Sequence, residues 1–151
     1  MTRLLLAAAL VGGLATALPA AAQFQKPEDA VKYRQSAMTL IAHHFGGLAA
    51  MAQGKVPYDA KAAAFNANIV ATLAHLPFTA FGEGTDMDLH TKAKAAIWKD
   101  PAKFKAAQDK LFAAVTKLDA AAKAGTLDAL KPAVGATGEA CKGCHDDFRS
   151  K

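Results

Sequence analysis

TLDALKPAVGATGEACKGCHDDF, residues 126–148, reads as one continuous amphipathic helix. Thr126 is a residue type that caps a helix start. Leu127, Leu130, Val134, Cys141, Cys144 and Phe148 then recur at steps of three, four and seven, placing them on one face. Pro132 and Gly135 fall in its first turns or bend it. A helix with one apolar face needs other elements to cover that face, so the rest of the chain must supply them.

The same stretch carries Cys141-Lys142-Gly143-Cys144-His145, with the only two cysteines in the chain. Cys-x-x-Cys-His is the pattern of covalent c-type haem attachment. On a helix, i and i+3 share a face and i+4 lies beside them. One turn therefore presents two thiols to the porphyrin vinyl groups and an imidazole, His145, to the iron as an axial ligand. Three rival readings fit less well. A thioredoxin-like pair expects a preceding strand, and none is legible before Cys141. Structural zinc expects four clustered Cys or His ligands, and only three residues cluster here. A simple disulfide leaves His145 unexplained.

Outward from this helix, three more stretches show helical periodicity between Pro and Gly punctuation. The first is predicted over Pro27 to Ala52, with Pro27 at N1, acidic Glu28-Asp29 in the first turn, and Val31, Met38, Ile41, Phe45 and Leu48 as its stripe. The second runs from an Asp59 N-cap to about His75, with Phe65, Ile69, Leu73 and Leu76 expected on its buried face. Residues 77–97 read as the longest irregular segment. The third begins at Asp100-Pro101, repeats Phe104, Ala107, Leu111, Val115, Leu118 and Ala122, and stops at Gly125. No strand is legible. The fold class is all-α, an antiparallel four-helix bundle with haem near the C-terminal helix.

Residues 1–22 read as a cleaved signal peptide. Arg3 gives the positive end, Leu4 to Leu18 an apolar run, and Ala20-Ala21-Ala22 a small-residue cleavage site. The run is short for a bilayer span and is weakened by Gly12, Gly13 and Pro19. Removing 22 of the 151 residues leaves one domain, residues 23–151, and lowers the formal charge from +5 to +4. Export fits haem attachment outside the inner membrane, so the expected location is the periplasm, with no membrane attachment after cleavage. The lysines at 92, 94, 99, 103, 105 and 110 read first as a solvated helix face. No aromatic-interleaved basic patch suggests nucleic acid. No nucleophile–base arrangement or phosphate loop suggests an enzyme.

Only Asp146 to Lys151 follow His145, so a sixth iron ligand must come from upstream. Several stretches resemble cytochrome c′, the class II family of four-helix-bundle haem proteins. They are Gln23-Phe24-Gln25-Lys26-Pro27-Glu28-Asp29-Ala30-Val31-Lys32-Tyr33-Arg34-Gln35-Ser36-Ala37, Val56-Pro57-Tyr58-Asp59, Leu76-Pro77-Phe78-Thr79-Ala80-Phe81-Gly82, Ile97-Trp98, and Cys141 through Arg149. The resemblance covers the chain after residue 22 and is poorest from Gly82 to Ala96. It implies one covalent haem c per chain, pentacoordinate iron on His145, an apolar distal pocket, binding of NO and CO, and a homodimer formed through the first two helices. It places Arg34 and Gln35 beside the haem propionates, Phe81 in the distal pocket and Arg149 on the proximal side. Met38 falls over the distal iron face, where close relatives carry an apolar residue such as leucine. Two readings of Met38 stay open: it fills the pocket, or it ligates the iron and makes a low-spin electron carrier, since some class II proteins use a first-helix methionine. The redox partner is not legible.

Overall fold

The structure, a computed structural model, describes residues 23–86 and 90–151. The expected signal peptide lies outside the described residues, as do Met87, Asp88 and Leu89. Four long helices form the bundle: α1 (Pro27–Ala52), α2 (Ala60–Leu73), α4 (Pro101–Lys123) and α5 (Leu127–Phe148). A 3₁₀ turn (Leu76–Ala80) and a four-residue helix, α3 (Ala96–Lys99), interrupt the long α2–α4 connection, which the sequence suggested was irregular throughout. Among the described residues there is no strand, only an isolated bridge between Ala93 and Arg149.

Local chemistry explains the helix starts. The Ala62 backbone N–H donates to Asp59 Oδ1 at 3.0 Å, Lys103 N–H to Asp100 Oδ1 at 2.9 Å and Ala129 N–H to Thr126 Oγ1 at 3.3 Å. Helix α1 has no side-chain cap but opens with Pro27, Glu28 and Asp29 as expected. Gly125, at φ +76°, supplies the left-handed residue that turns α4 back into α5. Pro132 sits in an exposed early turn of α5, and the helix continues through it.

Helix α1 packs on α2, α2 on α4, α4 on α5, and α5 on α1, closing a ring of four. The shared core holds Leu48, Met51, Ala63, Ala67, Val70, Ala74, Leu111, Val115, Leu118, Ala122, Leu130 and Val134. One sequence expectation fails here. Phe65 is 62% exposed and Ile69, Leu73 and Leu76 are only partly buried, whereas α2 buries Ala63, Ala67 and Val70, with Ala74 buried as its C-cap. Those residues recur at steps of four, three and four, so their spacing is helical, but their side chains are small. Alanine on this face lets α1 and α4 close on α2. A Cβ at Gly47 of α1 would sit 3.4 Å from Asn66 Nδ2, which shows how near the two helices come. Helix α2 also ends before His75, because Leu76-Pro77 tightens the chain into the 3₁₀ turn.

Candidate functional site

At one end of the bundle the helices part around a cavity of about 700 Å³. Its walls come from the N-terminal and middle turns of α1 and α4 and from the C-terminal parts of α2 and α5, as an up-down-up-down arrangement requires. Val70, Phe78, Phe104, Leu111, Val115 and Phe148 supply apolar wall. The volume lies within the roughly 300–1,000 Å³ range of cofactor sites.

Every site residue expected from the sequence lines this one cavity: Arg34, Gln35, Met38, Phe81, Cys141, Cys144, His145 and Arg149. Both cysteines are half-buried and outside any disulfide, and His145 is exposed along one edge. Arg149 follows α5 as its C-cap, exposed beside the cavity.

The electrostatics separate the haem reading from the redox-thiol reading. Reactive Cys-x-x-Cys pairs have thiols of lowered pKa, usually at a helix N-terminus. Here the pair lies near the C-terminal end of α5, and burial raises both thiols. Cys144 is pushed up to about 11, chiefly by burial, then by neighbouring Cys141 and Asp147. His145 moves the other way: partial burial, then the Arg149 cation, lower its pKa against a smaller opposing effect of Asp146. Both effects favour the neutral imidazole, the form that binds a metal.

Arg34 is buried at 3% exposure, and burial lowers its pKa. Its two terminal nitrogens donate to Ala80 O, Thr85 Oγ1, Thr85 O and Thr91 Oγ1 at 2.6–2.9 Å. It forms no ion pair with a carboxylate among the described residues. Gln35 Nε2 donates to His90 O at 3.1 Å. These contacts were not legible in the sequence, because the partners sit 46 to 57 residues away in an irregular segment. Thr137 was also missed. It is fully buried against the cavity and donates to Ala133 O at 2.9 Å, so a polar residue type hid a wall position.

A second set of bonds closes the site. Lys94 N–H donates to Phe148 O at 2.9 Å, and Ser150 N–H to Lys92 O at 2.8 Å. Residues 92–94 thus strap the end of α5, just past His145.

The donor set fits a c-type haem: two thiols and a neutral imidazole on one wall of an apolar cavity, with a buried cation lacking an acidic partner. Residues 29–149 match the family described as Cytochrome C′. The chain belongs to the cytochrome c′ family. It is 64% identical over 129 residues to cytochrome c′ of Rubrivivax gelatinosus, covering 85% of this chain and 100% of that protein. The crystal structure of that relative matches with a TM-score of 0.83 over the same shares. A nitric oxide complex of a leucine variant of cytochrome c′ from Alcaligenes xylosoxidans matches at 48% identity with a TM-score of 0.80, over 85% of this chain and 99% of that one. Cytochrome c-554 of Cereibacter sphaeroides is 35% identical over 144 residues, 89% of this chain and 90% of that protein. Cytochromes c′ are themselves a standing example of the up-down-up-down bundle. The family carries haem c bound covalently through cysteines, and Cys141 and Cys144 are the two this chain has.

Proposed function

We propose that this cytochrome c′ binds nitric oxide and carbon monoxide at an open position of haem iron held by His145. The observation that carries the reading is the apolar wall facing the donor set, formed by Met38, Ile41, Phe45, Val70, Phe78 and Phe81. No histidine or lysine of α1 or α2 lines the cavity, and outside α5 the ones that do, His90 and Lys92, belong to the loop before α3. Nitric oxide complexes of leucine variants of the Alcaligenes relative support it.

When bound, the haem supplies an iron that takes diatomic ligands. The chain does the rest. Cys141 and Cys144 anchor the macrocycle to α5, and His145 offers a neutral nitrogen held by the strapped helix end. Arg149 puts a positive charge near that nitrogen and disfavours its protonation. The apolar wall excludes water and bulky or charged ligands, and lets small uncharged ones reach the iron. In this reading the protein works as a carrier of small ligands.

A second reading is favoured by one observation: Met38 is the only methionine lining the cavity among the described residues. A thioether there would serve as a sixth iron ligand and make the protein an electron carrier. Absorption and electron paramagnetic resonance spectra separate the two. The open site predicts high-spin iron in both oxidation states, whereas Met38 ligation predicts low-spin iron that Met38→Leu converts to high-spin.

We place the protein in the periplasm. The 129 residues that span the whole Rubrivivax relative leave 22 over, the length of the N-terminal segment read as a signal peptide. Among the described residues no helix is long and apolar enough to cross a membrane. A homodimer through α1 and α2 accounts for two large apolar side chains left in solvent, Leu40 on α1 and Phe65 on α2. His44 links them: it lies one turn beyond Leu40, bonds Asn66 at 2.7 Å and packs edge-on to Phe65 at 6.0 Å. Leu40→Ser with Phe65→Ser should weaken the dimer by about tenfold or more in sedimentation, a change of roughly 1.4 kcal/mol. A monomeric native protein would remove this assignment.

A further inference from the structure

We propose that Arg34 is a positioning residue that fixes the Phe81 ring as a cavity wall and so sets the size of ligand admitted. The inference rests on the open-site reading above. Its geometry stands apart from that reading. The Arg34 guanidinium carbon lies 4.4 Å from the centre of the Phe81 ring, over its face. The residues flanking Phe81 are tied to the same group. Arg34 Nη1 donates to Ala80 O at 2.8 Å and to Thr85 Oγ1 at 2.9 Å, and that hydroxyl donates onward to Gly82 O at 2.8 Å. One guanidinium therefore holds the ring and the backbone on both sides of it.

The remaining faces of Phe81 are also fixed. Its ring meets Phe104 edge-on at 5.2 Å and Trp98 at 6.2 Å. Its carbonyl accepts from Trp98 Nε1 at 3.0 Å. Arg34 and Phe81 both line the haem cavity, so this clamp is part of its wall.

The residue type matters. An aliphatic side chain at 34 would leave Ala80 O and Thr85 O buried without a donor, and lysine has no planar fork to reach four oxygens at once. The four terminal bonds also occupy most of the guanidinium's donor capacity, which leaves only its Nε–H for a haem carboxylate. Holding the wall is therefore the principal work of this side chain, beyond any pairing with a propionate.

The test compares holoprotein carrying Arg34→Ala, Arg34→Lys, Thr91→Val or Phe81→Ala with the native form. The first readout is ferrous affinity for methyl isocyanide relative to tert-butyl isocyanide. The native protein should favour the smaller ligand, and Arg34→Ala, Arg34→Lys and Phe81→Ala should each reduce that preference by about tenfold or more. Thr91→Val, which removes one bond of four, should reduce it less. Millimolar guanidinium should restore the preference in Arg34→Ala and leave Phe81→Ala unchanged, an outcome that general loss of structure would not give. The second readout is hydrogen exchange at the indole N–H of Trp98, the only tryptophan, which should quicken in Arg34→Ala. An unchanged ligand preference together with unchanged indole exchange in Arg34→Ala would overturn the proposal. A native holoprotein that binds neither isocyanide would overturn the open site and the ligand-size role with it, and the Trp98 exchange would then decide the positioning role alone.

Discussion

The two ends of this bundle are built from different materials. At the far end, Leu48, Leu118 and Leu130 are completely buried, and aliphatic side chains with alanines fill the space. At the cavity end the packing is aromatic: Phe104 meets Phe78, Phe81 and Phe148 at 5.1–5.8 Å between ring centres. Leucine and alanine interdigitate to the density of a molecular crystal, which leaves no room for a guest. Large rings holding one another edge to face make stiff walls around a space that they do not fill. One end thus secures the fold, while the other keeps a hole open for the haem.

The comparison can be broken at either end. Cys141→Ser with Cys144→Ser has the largest expected effect: no haem should stay with the chain after acid–acetone extraction, because both covalent links are gone. Leu118→Ala strikes the far end and should cost about 2–5 kcal/mol of stability in thermal or denaturant unfolding, with the iron spectrum unchanged. A spectral change in that variant would show that the two ends are not separate. Asp100→Ala removes the cap of α4 beside the aromatic cluster and should cost about 1 kcal/mol. Met38→Leu should cost under about 1.5 kcal/mol and leave the iron high-spin, so a loss of low-spin signal would move the protein to the electron-carrier reading.

Much of this was legible in the sequence, for physical reasons that differ by residue. Helices α1, α4 and α5 announced themselves through proline at N1, Asp100 and Thr126 as caps and regular apolar steps, and their limits agree with the structure. Cys141, Cys144 and His145 were legible because three donors within one helical turn are a local pattern. Helix α2 departs from the sequence expectation at Phe65, Ile69, Leu73 and Leu76, because alanine spacing rather than bulk marks its buried face. The Arg34 network was beyond reach: its oxygens belong to Ala80, Thr85 and Thr91, and no periodicity records where an irregular segment places its carbonyls.

The strap of residues 92–94 on residues 148–150 joins positions more than fifty apart. Helices α1, α2 and α4 form a three-sided trough. Its fourth side is the helix that carries the cysteines. The helix that closes the receptacle for the porphyrin is therefore also the helix to which the porphyrin is joined.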